Sequence, residues 1–382
     1  MSGAPFVLPE EYEELRSSVR RLAVEAIAPN AAACDDQEEY PWASWEAWRA
    51  AGFAALPFPE QYGGQGGGTL AHAIAVEEVA RVCASSSLFT FISKLGLTAL
   101  LDHGSEELKQ QYVPRVASGE CQASYCLSEA GAGSDVSGMT TRAVRDGEHY
   151  VLNGRKMWIT NAGVSDFYTV FAKTDSEAGH RGISAFVVER GFPGFSIGKL
   201  EHKLGVRGSP TGEVLLDDCV VPAANLIGDE NRGFYYAMGA LDRSRPLVGA
   251  QALGIATGAL ELAVSYVGER RQFDQRIAEF QGVQFMLADL AAQVDASRLL
   301  VYRACSLLDN GLPGTASASA TAKLFASDTA MRVTTDCVQL LGGAGYTKDF
   351  AAERMMRDAK ITQIYEGTNQ IQRIVIAKNL LS

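Results

Sequence analysis

The chain has 382 residues, 47% of them hydrophobic, which is enough for two or three domains whose cores need neither disulfides nor metals. Its net charge of -11, its pI near 5.1 and the lack of any basic run argue against a nucleic-acid surface, which needs clustered Lys and Arg to displace phosphate counterions. Seven scattered cysteines without a C-x-x-C pair read as the thiols of a reduced, cytoplasmic protein, and five dispersed histidines offer no basis for a metal site or metal-assisted hydrolysis.

Residues 1–14 have no positive n-region and turn acidic at once, so neither a secretion signal nor an Arg-rich transit peptide is expected. Pro9 followed by Glu10 and Glu11 marks a helix start, and the Ala28-Pro29 step marks its end. Further helices are predicted over 69–83, 87–103 and 105–117. The five glycines within 62–68 predict a mobile surface loop, and no strand precedes them as a dinucleotide fingerprint requires.

Past Cys121 the pattern changes to short β-rich runs over 149–152, 156–160, 167–172, 183–189 and 213–221, with Asn153-Gly154 predicting a hairpin turn between the first two. From Asn231 long helical periods return over 232–270, 279–309, 315–341 and 369–381, four antiparallel helices that make a bundle. The apolar run 251–267 contains Gln251, Thr257 and Glu261 and is too short and too polar to cross a bilayer. Helices, then strands, then helices predict an α+β fold: an N-terminal helical domain over 1–122, a middle β-barrel-like domain over 123–230, and a C-terminal four-helix bundle over 231–382.

Several segments carry chemistry-bearing residues. In Y-C-L-S-E-A-G-A-G-S, from Tyr125 to Ser134, Gly131 and Gly133 permit close backbone approach while Ser128 and Ser134 offer hydroxyls; a plain turn fits the same residues. In K-M-W-I-T-N, from Lys156 to Asn161, an indole and a hydroxyl suit either a core or one face of a ring ligand. In L-D-R-S-R, Asp242 and Arg245 stand one helical turn apart and suit an intrahelical ion pair. In Y-E-G-T-N-Q-I-Q-R, Thr368 is a helix N-cap followed by Ile371, Ile374 and Val375 at helical spacing, so Glu366 belongs to the preceding turn. There it either favours the helix dipole or is aimed at a ligand as a base.

These segments resemble the acyl-CoA dehydrogenase family over nearly the whole chain, the nonapeptide most closely. The resemblance implies FAD-dependent α,β-dehydrogenation of a short- to medium-chain or branched acyl-CoA to the 2-enoyl-CoA, with Glu366 as the catalytic base. Apolar and aromatic neighbours, Tyr365 among them, would raise its proton affinity by desolvation. FAD contacts are implied for Tyr125, Leu127, Ser128, Gly133 and Ser134; for Trp158, Ile159 and Thr160; for Gln281; for Gln339, Leu340, Leu341, Gly342 and Gly343; and for Thr368, Asn369 and Gln370. Arg270, Gln272 and Phe273 fall on the segment that reaches the FAD of a neighbouring subunit, and a guanidinium suits a diphosphate. Substrate contacts are implied for Ser134, Asp242, Arg245, Tyr365 and Gly367.

Two positions depart from the family pattern: Ala130 stands where proline is common, and Asp274 where glycine is, the latter placing an extra anion near a diphosphate. Some relatives carry their base at the position of Ser244, which cannot serve as one. The resemblance also implies electron-transfer flavoprotein as acceptor and a homotetramer built as a dimer of dimers, with no nucleic-acid partner and no membrane insertion. The same fold acting as an oxidase, on a carrier-protein thioester, or as a non-catalytic flavin-binding homologue are the rival readings.

Overall fold

The computed structural model describes residues 7–381. Residues 1–6, which the sequence reading puts in the first domain and finds free of a targeting signal, and Ser382 lie outside the described residues.

Helix α1 (Glu10–Leu22) starts behind Pro9 with three carboxylates in its first turn, where unpaired N–H groups favour negative charge. The helical path does not end at Ala28-Pro29 as the proline suggested. A π-turn over Ala23–Ile27 and a 3-10 turn over Ala28–Asn30 lead into α2 (Ala31–Gln37), with Pro29 near the start of the 3-10 turn, where a missing N–H has no partner to lose. Next comes α3 (Trp42–Ala50).

The glycine-rich stretch is packed rather than loose, which corrects the expectation of a mobile loop. The N–H groups of Gly64, Gly66 and Gly67 bond the carbonyls of Pro59, Phe58 and Leu56, and a Cβ on Gly64 would stand 2.0 Å from the Phe58 carbonyl oxygen. Glycine is there for close approach of two backbones. Helix α4 (Gly68–Ala80) follows, its first N–H groups bonded by the Asp309 carboxylate at 2.6 and 2.9 Å. Helices α5 (Leu88–His103) and α6 (Glu106–Ala117) complete the region, the latter capped by Ser105, which accepts from Leu108 N–H at 3.3 Å.

The middle region holds β1 (Ala123–Cys126), β2 (Arg142–Asp146), β3 (His149–Thr160), β4 (Phe167–Lys173), β5 (Ile183–Glu189), β6 (Phe195–Leu200) and β7 (Thr211–Pro222). They form one mixed sheet in the order β1-β4-β2-β3-β7-β6, with β5 on β4 and β1 parallel to β4. Asn153-Gly154 is not a turn. Strand β3 runs straight through it, and the hairpin turn lies at Gly147 between β2 and β3, where Asp146 pairs with His149. Gly154 instead sits at a register shift against β7, and its Cβ would stand 2.4 Å from Thr141 Oγ1, so it admits a neighbouring segment. Strand β2 escaped the sequence reading because only Ala143 of its five residues is buried, which leaves no alternation to detect.

The last region comprises α7 (Gly233–Glu269), a ribbon of β8 (Arg271–Gln272) and β9 (Gln275–Arg276), α8 (Gln281–Asp309), α9 (Thr315–Leu341), α10 (Ala352–Ile361) and α11 (Asn369–Leu381). Helix α10 was not predicted. Its inward face is Ala352, Met355, Asp358 and Ala359, and the buried Asp358, bonded by Val206 N–H, interrupts the apolar stripe that periodicity looks for.

Helix α7 has 37 residues and by length and composition is able to cross a membrane, so judging the run 251–267 alone was too narrow. Most of its apolar window is buried, and Val248, Leu253 and Ala256 share a core with Leu290, Val301, Ala326 and Ala330 of α8 and α9. It also packs on α4 and α5, which makes it the common wall of the N-terminal helices and the bundle.

Candidate active site

The turn between α10 and α11 presents Glu366. Its φ is 52° and that of Gly367 is 90°, a left-handed pair that a glutamate adopts only when its surroundings hold it there. Thr368 Oγ1 accepts the Ile371 N–H at 3.4 Å, the N-cap expected for α11. Lys323 Nζ from α9 donates to Gly367 O at 3.0 Å, and Gln372 Nε2 donates to the same oxygen at 2.8 Å. The strained turn is thus tied to two helices by its carbonyls.

The Glu366 carboxyl has two unlike oxygens. Ser244 on α7 donates its hydroxyl to Oε2, whereas Oε1 is buried with no hydrogen-bond partner among the described residues. Burial pushes the carboxyl up to about 7, against opposing pulls from the Ser244 hydroxyl, the Lys323 ammonium and the Arg245 guanidinium. A carboxyl balanced near neutrality, with one unsatisfied oxygen, has the properties of a general base.

A cleft of about 880 Å³, open to solvent, joins this turn to the β domain. Tyr125, Leu127, Ser128, Gly133 and Ser134 line it from β1 and the following loop; Trp158, Ile159 and Thr160 from the end of β3; Arg245 from α7; and Tyr365, Glu366 and Gly367 from the turn. Two local devices shape the β side. Register slips between Lys156 and Ile159 against β7 while Trp158 takes φ 57°, and this bulge turns the indole out until it is 52% exposed. Behind it, Lys156 is fully buried and donates to Glu129 Oε1 at 2.9 Å and to Leu127 O at 3.0 Å. Glu129 in turn accepts the N–H groups of Thr140 and Thr141 at 2.6 and 3.0 Å, so one buried ion pair braces the whole loop that carries Ser128, Gly133 and Ser134.

That wall fits a flat heteroaromatic ring edged with polar atoms. An exposed indole flanks it, Gly133 leaves open space where a Cβ would stand, and the hydroxyls of Ser128, Ser134 and Thr160 have no hydrogen-bond partner among the described residues. A flavin isoalloxazine ring has that shape and that pattern of edge atoms.

Arg245 satisfies both readings made from sequence: it pairs with Asp242 and, only 4% exposed, also lines the cleft. Asp242 is its counterion and is not on the cleft wall. Tyr365 bonds Gln251 Oε1 through its hydroxyl, and Tyr125 donates to Ala237 O at 3.1 Å, so both rings are fixed in place.

The remaining sequence candidates lie elsewhere. Arg270, Gln272 and Phe273 stand at the far end of α7, and the 25 residues from Arg245 to Arg270 (270 minus 245) span roughly 37 Å of helix at 1.5 Å each. Phe273 is 87% exposed there, and Gln281 begins α8 nearby. Gln339 and Leu340 end α9, Leu341 is buried in the bundle core, and Gly342 and Gly343 form the exposed turn beyond it. The Asn369 side chain is engaged by Lys323, Ser327 and Asp328, while Gln370 is exposed on α11. None of these lines the cleft of its own chain.

Sequence reading missed four residues of the site: Ser244 as a donor, Lys323, Glu129 and Lys156. Glu129 and Lys156 stand inside segments that the sequence singled out, with no local sign that they pair, and Lys323 is a lone cation in the small-residue run S-A-S-A-T-A-K of α9.

Three family models match the chain in order: "Acyl-CoA dehydrogenase, N-terminal domain" over residues 9–120, the corresponding middle domain over 124–219, and the C-terminal domain over 231–381. The chain is 53% identical over 376 residues to the probable acyl-CoA dehydrogenase FadE25 of Mycobacterium tuberculosis, covering 98% of this chain and 97% of that one. Butyryl-CoA dehydrogenase from Megasphaera elsdenii superposes with a TM-score of 0.96 at 39% identity, covering 99% of this chain and 100% of the other. A chain in the solved structure described as the electron transferring flavoprotein of Acidaminococcus fermentans superposes with a TM-score of 0.97 at 45% identity, with coverage of 99% and 100%.

Proposed function

The chain belongs to the acyl-CoA dehydrogenase family, an FAD-dependent oxidoreductase acting on acyl-CoA thioesters, and we propose that its substrate is a short- to medium-chain or branched acyl-CoA whose α proton is taken by Glu366. The observation that carries the base assignment is a desolvated carboxyl with one unpartnered oxygen, set in the cleft that also holds the hydroxyl-lined wall. FAD, when bound, supplies the acceptor for the hydride that leaves the β carbon.

The protein's own groups do the rest. Ser244 holds Oε2, which leaves Oε1 as the atom that meets the α proton. Lys323 and Gln372 fix the turn, so the base does not have to be ordered at the moment of transfer. Once protonated, Glu366 is neutral in a site that penalises its charge, which favours the transfer. Ser128, Ser134 and Thr160 line the cleft with hydroxyls that would hold the flavin edge, and the exposed Trp158 indole beside them would flank the ring.

The short-chain reading is supported by similarity to a butyryl-CoA dehydrogenase. Anaerobic loss of flavin absorbance with an acyl-CoA panel of graded length and branching tests it, and fastest bleaching by a long-chain thioester would sink it. Electron-transfer flavoprotein as acceptor is supported by similarity to the A. fermentans chain, and turnover that depends on that protein rather than on oxygen is the check. Exposed Arg270, Gln272 and Phe273, remote from their own cleft, support a homotetramer in which they meet a neighbour's FAD. The expected result is a tetramer by sedimentation that sheds FAD when diluted to monomers; a monomer that retains FAD contradicts it.

The pH profile offers a second check on Glu366. Only the ionised carboxyl accepts a proton, so the bleaching rate should fall as pH drops through about 7. The Ser244 hydroxyl lowers that value, and Ser244→Ala should therefore move the acidic limb to higher pH. A limb that stays in place in the variant is the contrary result.

A further inference from the structure

Ser244 and Leu95 also line a second cavity, of about 600 Å³, bounded by α4, α5 and α7. Leu95 faces both cavities, and Ser244 carries the hydrogen bond to Glu366, so this space adjoins the catalytic carboxyl. Unlike an ordinary aliphatic pocket it is lined by titratable groups: Lys94, Asp102, Arg243 and His72.

Three of those four groups are accounted for. Asp102 and Arg243 pair with each other at 2.8 Å. His72 lies within 3.2 Å of Thr90 Oγ1, and burial depresses its pKa to about 3, so it is neutral. Lys94 is the exception. Its ammonium has no hydrogen-bond or ion-pair partner among the described residues: it lies 5.3 Å from the Phe58 ring, and the Asp102 carboxylate attracts it only from beyond ion-pair distance while already paired with Arg243. An aromatic face attracts a cation but accepts none of its three N–H bonds in the way an oxygen does. Burial lowers Lys94 to about 8, so at neutral pH the cavity still holds a mostly protonated ammonium that lacks an acceptor.

We propose that this cavity receives the distal end of the acyl group and selects thioesters that carry a carboxylate there, with Lys94 as its counterion. The proposal rests on the reading of Glu366 as the base, because that fixes the reacting carbons next to Ser244 and directs the remainder of the acyl chain past Leu95. A carboxylate supplies the acceptors that the ammonium lacks and neutralises the cation left over once Asp102 and Arg243 have paired. A terminal methyl group does neither, and it would bury the ammonium further without compensation.

The test is anaerobic flavin bleaching of the holoenzyme with matched sets: straight-chain acyl-CoA thioesters of graded length, their ω-carboxyl counterparts, and the methyl esters of the latter. The ω-carboxyl member of the best set should exceed both others in reductive rate constant over apparent Kd by at least about tenfold, a modest part of the discrimination a site built for a polar group can make against a partner lacking it. Lys94→Met should bring that ratio to parity or reverse it, and Lys94→Arg should keep it. A wild-type preference for the neutral thioester overturns the proposal even if the Met variant fails to hold flavin, as does an unchanged ratio in a flavin-loaded Met variant. Bleaching by neutral thioesters alone removes only this inference, whereas bleaching by no thioester removes the reading of Glu366 as well.

Discussion

Glu366→Gln is expected to give a yellow, FAD-loaded protein whose flavin no acyl-CoA bleaches, with the reductive rate down by at least about 10³-fold, near the upper range for removing a general base. Glutamine has the same shape, and its amide oxygen can accept the Ser244 hydroxyl as Oε2 does now. The backbone ties from Lys323 and Gln372 do not depend on the side chain. Only the proton acceptor is lost. Stability supplies an independent reading with a definite sign. In the folded protein the carboxyl sits at about 7 against an ordinary value of 4.5, so its contribution to stability is fully present below about 4.5 and is lost as pH rises through about 7. At pH 8 the wild type bears the cost of a buried charge, by linkage at most about 3 kcal/mol. The Gln variant should therefore melt no lower than wild type at pH 8. Normal bleaching by this variant would refute the base assignment; a large drop in melting temperature would instead reveal a structural part for the carboxylate.

Lys156→Met should be the most damaging single change away from the reacting atoms. Lys156 is fully buried and Glu129 is 6% exposed in its side chain, so losing the ammonium strands a carboxylate inside the β domain. Breaking a buried pair from one side costs about 3–5 kcal/mol, a fall in melting temperature on the order of 10 °C. Burial raises the Glu129 carboxyl, but Lys156 and the Thr140 and Thr141 donors outweigh it and hold it at about 2. This depressed value makes the stabilisation present above the ordinary carboxylate value of 4.5 and lost as pH falls through about 2. The pair also fastens the loop of Ser128, Gly133 and Ser134, so the variant should shed FAD more readily than wild type. Adding Glu129→Gln should recover much of the stability, because no uncompensated charge remains. A single variant that melts within about 1 kcal/mol of wild type, with FAD retained, would contradict this account.

The long helices were legible in the sequence. The segment 315–341 was placed to the residue, and the starts and ends of α5, α6 and α7 to within one, because helical spacing is sustained over many residues there. Signals that depend on a neighbour failed. Asn153-Gly154 has the composition of a turn, yet the packing of Gly154 against Thr141 keeps it inside β3. The glycines of 62–68 have the composition of a loose loop, yet they are the close contact of two backbones. Helix α10 hid because its inward face includes Asp358, whose burial is tolerable only beside the Val206 N–H.

The sequence alone determined the order of domains, the family, and the placement of Glu366 in a turn ahead of a capped helix, since all of these rest on local spacing and on short motifs. What only the tertiary structure decided is the chemistry of that carboxyl. Its proton affinity is raised by burial that no local pattern records, and held back by groups at positions 244, 323 and 245, more than forty residues away. The same holds for the loop braced by Lys156 and for the unmatched ammonium of Lys94. Electrostatic free energy depends on distance through space and on exclusion of water, and both are set only when remote segments pack together.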